Sequence, residues 1–342
     1  MRTYFLRRFL LIPPTLFGIT LMVFLMTRIL PGGPMDRAIM EARSGEMGSG
    51  AGVSSRGGTG GGALSQEQMQ SLREYYGLDK PPVVAYFQWL GKVVQGDLGR
   101  SYRYGEPVSS IIAERLPVSL MYGTATLFLV YAVCLPLGIL KAIKHRTFTD
   151  SVTSVMVFFG YAIPGYALGA VLVVYAAARW RWFPMGGFHS DDFEAFSLWQ
   201  KITDLVHHAV LPLICYSVGS FAFVTLLLKN QLLDNLSADF VRTAVAKGVS
   251  FRRSVFKHAL RNSLIPLATY FGQSVTALIG GSFLVEVIFD IDGMGLLGYT
   301  SVVDRDYPTV MGVLLLSSFL LLIGHIIADV LVALADPRIR FK

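Results

Sequence analysis

The chain has 342 residues, of which 53% are hydrophobic and 15% are charged, and its mean hydropathy is +0.52. Because soluble domains carry about 25% charged residues, this composition excludes an ordinary soluble domain and indicates a polytopic membrane protein. The net charge of +7 does not by itself indicate nucleic acid, since membrane proteins concentrate Lys and Arg in their cytoplasmic loops.

Six apolar stretches are long enough to cross a bilayer core, which needs about 20 helical residues. The sequence therefore predicts an all-α protein with about six transmembrane helices. The first stretch is interpreted as a retained span, because "LPGGP" follows it and no small-x-small cleavage site does. The six stretches lie near residues 9–29, 118–140, 152–176, 207–228, 264–286 and 308–331.

The basic residues predict the orientation of these spans. The N-terminus, residues 141–146, residues 229–262 and the C-terminus hold most Lys and Arg. The two short loops on the other side hold only Arg179, Arg181, Lys201 and Arg305. Cytoplasmic loops are the basic ones, so both termini are predicted to be cytoplasmic.

Three regions follow from this topology. Residues 1–30 form the cytoplasmic N-terminus and first span, and residues 118–342 form a five-helix core with a cytoplasmic loop at 229–262. Between them, 31–117 is an extracytoplasmic region with a Gly-rich linker at 44–62. A helix is predicted over 65–77 and a second one carries Val83, Phe87, Leu90 and Val94 on one face. The second helix suits the outer membrane surface, a partner or the ends of the spans.

Few residues suggest chemistry within this chain. No Walker A loop, H-E-x-x-H, C-x-x-C or G-x-S-x-G motif occurs, so neither an ATP site nor a metal site is expected. His325 and Asp329 share one face of the last span, which fits either a proton relay or a structural hydrogen bond. Pro164 in "GYAIPGYALG" is a candidate hinge, because proline removes a backbone donor.

The segment "DFVRTAVAKGVSFRRSVFKHALRN" at 239–262 is basic in an otherwise apolar chain. It predicts a helix of about nine residues up to Lys247, a stop at Gly248 and a new helix after Ser250. So short a helix cannot span the bilayer, but it suits a cleft on a cytoplasmic partner. A basic loop resting on anionic headgroups is the alternative.

The spacing of this segment resembles the EAA loop in the permeases of binding-protein-dependent ABC importers. That loop reads E-A-A, three residues, Gly, nine residues and I-x-L-P. Arg242, Thr243 and Ala244 stand at the E-A-A positions and Gly248 at the glycine. The Ile, Leu and Pro positions hold His258, Leu260 and Arg261. The departures are large, but the dipeptide and oligopeptide branch typically has such a loop.

Further stretches resemble the same branch in order along nearly the whole chain. Among permeases of this branch, the chain is most similar to the Yej-type B subunits. The stretches are "RRFLLIPPTLFGIT", "PGGP", "YGLDKPPVVAYFQWL", "GDLGRS", "RLPVSL", "VEVIFDIDGMGLLG", "RDYP" and "DPRIR".

This resemblance implies a type I ABC importer permease in a bacterial inner membrane. The implied partners are a homologous second permease subunit, two ATPase domains and an extracytoplasmic peptide-binding protein, with membrane lipid around the spans and no nucleic acid. Oligopeptides are the implied substrates, with peptide antibiotics of the microcin C type as a further candidate cargo. ATP and Mg would bind the ATPase partners, and no cofactor or metal would bind this chain.

The resemblance also implies site residues. The segment 236–248 corresponds to the coupling helix, the element that contacts the ATPase. Glu286, Phe289 and Asp290 lie near the external mouth, where they would contact the binding protein or form a gate. The coupling residues are Phe240, Arg242, Thr243, Ala244, Lys247 and Gly248.

Two other classes of function compete with this interpretation. A stand-alone secondary transporter would require an internal repeat and a buried ion site, neither of which is evident in the sequence. A DNA-binding membrane sensor would require a soluble domain larger than the basic loop.

Overall fold

The computed structural model describes residues 2–29, 70, 79–275 and 280–335, and within them the regular structure is helical. Besides the main helices, it contains the short helices Phe193–Ala195 and Phe251–Arg253 and the π-helical segments Val173–Arg179 and Ser254–Ala259. The main helices are α1 (Arg2–Ile29), α2 (Pro82–Val94), α3 (Val108–Ile143), α4 (Phe148–Ala162), α5 (Gly165–Leu172), α6 (Leu198–Ser237), α7 (Asp239–Ala246), α8 (Leu260–Ser274), α9 (Phe283–Ile288), α10 (Met294–Val303) and α11 (Tyr307–Ala335).

Helices α1, α3, α6 and α11 are each long and apolar enough to cross a membrane, and α4 with α5 forms a fifth candidate span. The predicted all-α polytopic fold is confirmed. The stretch predicted as a span at 264–286 contains α8, which ends at Ser274, and α9, which begins at Phe283, with 276–279 outside the described residues. The linker at 44–62 and most of the helix predicted at 65–77 also lie outside them.

The stretch predicted as one span at 152–176 is bent by 89° between α4 and α5. Pro164 accounts for the bend, since it lacks an N–H and disfavours helical geometry in the residue before it. Ile163 accordingly has extended dihedral angles, φ −93° and ψ 118°. The backbone therefore leaves the helix at Ile163, and a new helix begins at Gly165.

The described residues belong to two compact units. The smaller unit, Pro14–Ile112 with Thr300–Leu315, is organised around Tyr86, which has no exposed surface. The Tyr86 hydroxyl is 2.9 Å from the Thr20 hydroxyl and donates to the Phe17 carbonyl at 3.1 Å. Helix α2 thus packs on α1, and the predicted membrane-surface and partner settings stay predictions.

The packed face of α2 differs from the predicted one. Val83, Phe87 and Val94 are exposed, whereas Tyr86 is buried with Phe24 and Met311. The helical spacing of the apolar residues did not predict the buried position of Tyr86. This tyrosine contributes both a large ring and a hydroxyl that hydrogen-bonds to α1.

Asp306 fixes the start of α11 within the same unit. Its carboxylate accepts hydrogen bonds from the Ser101 hydroxyl at 2.5 Å, the Tyr102 N–H at 2.9 Å and the Thr309 hydroxyl at 2.7 Å. Three donors compensate the burial of this acid, which is 1% exposed. The "RDYP" stretch is therefore a helix start held by residues that follow α2.

The larger unit, Met1–Pro13, Ala113–Tyr299 and Leu316–Lys342, is arranged around α6. Helices α8 and α11 approach each other closely at two glycines. A Cβ at Gly272 would lie 2.3 Å from the Ala328 Cβ and 2.4 Å from the Gly324 carbonyl oxygen. Such an approach is possible only without a side chain.

Replacing this glycine tests the close approach. Gly272→Ala should lower stability by about 1–3 kcal/mol, because the added methyl group overpacks the helix crossing. The thermal unfolding midpoint in mild detergent should fall accordingly. Gly219→Ala is the matched control, since nothing lies within 4 Å of a Cβ there. Equal midpoints for the two variants would contradict the packing.

Candidate functional site

The basic segment forms the short helix that its sequence predicts. Helix α6 ends at Ser237, Ala238 is extended with φ −72° and ψ 149°, and α7 begins at Asp239. Residues 229–237, which the sequence placed in the loop, continue α6. Only one extended residue separates α6 from α7, so the position of α7 follows that of α6.

Gly248 ends α7 as the sequence predicts. Its φ of +88° lies in the left-handed region that glycine adopts without strain. The Val249 N–H donates to the Ala244 carbonyl at 3.1 Å and the Gly248 N–H donates to the Val245 carbonyl at 2.9 Å. This pair of hydrogen bonds is the Schellman pattern of helix ends. A new helix starts after Ser250, as predicted, although the Ser250 side chain makes no capping hydrogen bond.

Helix α7 has one buried anchor. Val241 is 3% exposed and packs with Ala142 of α3, Leu232 of α6, and Val255 and Ala259 of the π-helical segment before α8. Burying this side chain holds α7 against three other elements. The helix thus rests on the ends of three longer helical stretches.

The rest of α7 faces outward. Phe240 and Val245 are 44% and 48% exposed, and Ala244 is half-buried. Arg242 is 3.9 Å from Asp239, but both side chains are largely exposed, so this pair contributes little. The outward face therefore combines exposed apolar side chains with exposed positive charge. Its exposed predicted residues are Phe240, Arg242, Thr243, Lys247 and Gly248.

A buried group of three charges lies near this helix. The Lys229 Nζ atom is 2.8 Å from each carboxylate oxygen of Asp150, and the Lys141 Nζ atom is 2.9 Å from Asp150 Oδ1. Lys141 has no exposed surface, Asp150 is 6% exposed and Lys229 is 9% exposed. These residues come from α3, α4 and α6, so one carboxylate joins three helices.

Hydrogen bonds complete this charged cluster. Lys141 Nζ also donates to the Asp150 carbonyl at 2.9 Å, the Thr153 hydroxyl at 3.1 Å and the Ser154 hydroxyl at 2.7 Å. The Arg146 N–H donates to the Asp150 carboxylate at 3.2 Å. These hydrogen bonds offset the free-energy cost of burying the charges, which is high for a charge without a partner.

This cluster was not predicted from the sequence. Lys141 and Lys229 served there only as indicators of orientation, and Asp150 had no predicted role. One signal was present, since Asp150 is the only acid between Glu114 and Asp191, and it stands beside an apolar stretch. An isolated acid in such a position indicates a functional or paired group.

The larger unit also contains a cavity of about 470 Å³. Helix α5, after the bend, contributes Gly165 and Tyr166 to its lining, and Tyr216 of α6 and Glu286 of α9 also face it. The buried Tyr122 hydroxyl lines it too and has no hydrogen-bond partner among the described residues. Aromatic rings and hydroxyls therefore give the cavity both apolar and polar surface.

The residues predicted near the external mouth have different surroundings. Glu286 and Phe289 are each 2% exposed, whereas Asp290 is at the surface with φ of +50°. The Leu296 N–H donates to Glu286 Oε2 at 2.5 Å, so Glu286 caps the first turn of α10. Gly293 fits beside it, because a Cβ there would lie 2.7 Å from the Glu286 carboxyl carbon. Of the three residues, Asp290 alone offers its side chain at the surface.

Asp329 has a partner in the larger unit. Arg8 Nε lies 2.8 Å from Asp329 Oδ2, so this acid forms an ion pair between α1 and α11. Of the two roles predicted for Asp329, a proton relay or a structural bond, the contact with Arg8 favours the structural one. Among the described residues, no group of three or more His, Cys, Asp or Glu is arranged to hold a metal ion.

The helical fold, with four long apolar helices and one bent pair, defines a polytopic membrane protein. Residues 134–341 match the family described as binding-protein-dependent transport system inner membrane component. The chain belongs to this family and is a permease subunit of the ABC transport class.

The curated relatives agree over the full length. The chain is 37% identical to the peptidoglycan transport system permease protein YejB of Agrobacterium fabrum, with 100% of this chain and 99% of that protein covered. It is 36% identical to the oligopeptide transport system permease protein AppB of Bacillus subtilis, with 100% of both chains covered. It is also 36% identical to the inner membrane ABC transporter permease protein YejB of Escherichia coli O157:H7, again with both chains fully covered.

The anchoring of α7 is testable with two neighbouring valines. Val241→Ala should destabilise the docked helix by about 2 kcal/mol, because it leaves a cavity among buried side chains. Amide hydrogen exchange over residues 239–246 should then accelerate roughly 30-fold. Val245→Ala, at an exposed position of the same helix, should leave exchange nearly unchanged. Equal acceleration in both variants would show that Val241 does not hold the helix.

Proposed function

We propose that this chain is the permease subunit of an ATP-driven importer of peptides. One observation carries the proposal: α7 is a short helix fixed by Val241, with an exposed apolar and basic face, in a permease that spans the full length of its relatives. Relatives named for oligopeptide and dipeptide transport support peptides as the cargo. Peptide antibiotics of the microcin C type are a further candidate.

The proposed assembly contains four kinds of component. A homologous second permease subunit completes the pathway, two ATPase domains bind the cytoplasmic loops, and an extracytoplasmic peptide-binding protein delivers the cargo. ATP and Mg bind the ATPase domains, because this sequence has no Walker A loop. Energy released there must therefore reach the spans through a contact between chains.

The proposed orientation places α7 and both termini in the cytoplasm. The basic residues of 239–262 support it, since positive loops are retained inside. Lys141 and Lys229 belong to the same basic side, yet both are buried and paired with Asp150. Exposed basic residues of this segment, among them Arg242, Lys247, Arg252, Arg253 and Lys257, are available to an ATPase or to anionic headgroups.

Helix α7 is proposed to occupy a cleft of the ATPase. Phe240 and Val245 supply apolar contact there, and Arg242 and Lys247 supply charge. When ATP draws the two ATPase domains together, each α7 moves with its domain. Because α7 is anchored to α3, α6 and the segment before α8, the movement reaches the spans as a rearrangement of packed helices.

The cavity beside the bend is proposed as part of the peptide pathway. It is lined by the first residues of α5, so a change in the bend at Pro164 would alter its shape. Its tyrosine hydroxyls and the Glu286 carboxylate supply hydrogen-bonding groups, and its rings supply apolar contact. A translocation pathway for peptides of varied sequence needs both polar and apolar lining groups.

A transport assay tests the proposal through Gly248. The tagged chain is purified with its partners in mild detergent and reconstituted into vesicles, and import of labelled tri-alanine is measured with and without ATP. Import should require ATP. Gly248→Val should leave assembly intact and uncouple ATP hydrolysis from import, because a β-branched residue at φ +88° distorts the end of α7.

The control places the same strain elsewhere. Gly105→Val meets a φ of +70° with nothing within 4 Å, as at Gly248, but Gly105 lies in an exposed turn far from α7 in the sequence. It should not alter the ratio of import to hydrolysis. Peptide import without ATP would contradict the ABC function, and normal import by Gly248→Val would contradict the role of α7.

A further inference from the structure

We propose that Asp150 is a positioning residue that locks the bent span to the helix carrying α7, so that the two move as one body. The proposal rests on the proposed docking of an ATPase at α7. It adds the route by which displacement of α7 reaches the bend and the cavity.

The lock begins one turn from the anchor of α7. Lys229 and Leu232 are three residues apart on α6 and lie on neighbouring positions of one helical face. Leu232 contacts the cluster that holds Val241, whereas Lys229 binds both carboxylate oxygens of Asp150. A displacement of α7 therefore acts on α6 at the place where α6 binds α4.

The bent span is fixed to α6 at two further points. A Cβ at Gly160 would lie 3.0 Å from Val218 Cγ2, and a Cβ at Gly165 would lie 2.4 Å from the Cys215 carbonyl oxygen. The bent span is thus close to the α6 backbone at Gly165 and to an α6 side chain, that of Val218, at Gly160. Asp150 in the first turn of α4 and Gly165 at the start of α5 leave the bent span little freedom to slide along α6.

Charges make this lock specific for one register. A buried ion pair contributes little net stability over well-packed apolar residues, but separating its members strands a charge. A slip of α4 along α6 would remove Asp150 from Lys229, and Lys141 would lose Thr153 and Ser154 as acceptors. Other registers are therefore disfavoured, whereas an apolar contact would tolerate them.

The far end of the locked span reaches the cavity. Asp150 lies in the first turn of α4, which runs to Ala162, and Gly165 and Tyr166 follow the bend and line the cavity. With α4 held to α6, movement at α7 is delivered to these residues. Without the lock, the close contacts at Gly160 and Gly165 remain, but the register of α4 on α6 next to α7 is no longer fixed, so less of the movement at α7 reaches the cavity.

The first test compares three variants in the reconstituted complex. Lys229→Met removes the charge at similar length, Lys229→Arg keeps a cation that can bind both oxygens of Asp150, and Lys144→Met removes an exposed charge near Lys141. The number of tri-alanine molecules imported per ATP hydrolysed should fall about 2- to 30-fold in Lys229→Met, the range for residues in coupling networks. It should stay near the parent value in the other two.

The second test needs no cargo. Nitroxide labels at Ser151 on α4 and Val245 on α7, both exposed, report the separation of these helices after Cys134 and Cys215 are replaced by alanine. The parent, Lys229→Arg and Lys144→Met should give one narrow distance distribution, and Lys229→Met a broader or shifted one. Equal distributions in Lys229→Met and Lys144→Met would overturn the proposal, as would an unchanged import ratio.

Further outcomes distinguish the positioning role of Asp150 from the proposed peptide function and from a role in folding alone. Lack of tri-alanine import by the parent complex rejects the peptide function, and the distance measurement then decides the lock alone. If Lys229→Met does not accumulate, Asp150→Asn replaces it in both tests, since it keeps the size and one acceptor oxygen. Failure of both to accumulate, with Lys229→Arg normal, would assign the cluster to folding and overturn the positioning role.

Discussion

The contact of Asp150 with two lysines is the constraint on which the arrangement of the larger unit depends. It joins α3, α4 and α6 through one buried carboxylate, and each of those helices carries an element of the proposed transport cycle. Helix α6 leads to α7, α4 leads to the bend at Pro164, and α3 contributes Ala142 to the anchor of α7. Because buried charges tolerate little displacement, this contact fixes the helices in one register.

Backbone contacts complement that charged lock. Glycines at 165 and 272 allow α5 to meet α6 and α8 to meet α11 without intervening side chains, which is the usual basis of close helix packing in lipid. The bend at Pro164 interrupts one span while its flanking helices stay packed on α6. The result is a set of helices held firmly in pairs, with one sharp change of direction beside a cavity.

Local features were predictable because their causes lie in neighbouring residues. Apolar runs predicted the helical membrane fold, and Lys247, Gly248 and Ser250 predicted the end of α7 and the helix that follows. Contacts between distant residues were not predictable in this way. Asp150 and Lys229 are 79 positions apart, and nothing local identifies them as partners. Tyr86 was likewise missed, because its hydroxyl partners lie on α1, and the capping of α10 by Glu286 was not predicted either.

The contact between α7 and an ATPase is the central claim, and site-specific cross-linking tests it most directly. A photoreactive residue at Phe240 should form an adduct with an ATP-binding subunit in membranes containing the assembled complex. The same photoreactive residue in place of Trp182, which is exposed between α5 and α6, should not form this adduct. No adduct at position 240, or equal adducts at both positions, would contradict the assignment of α7 as the coupling helix.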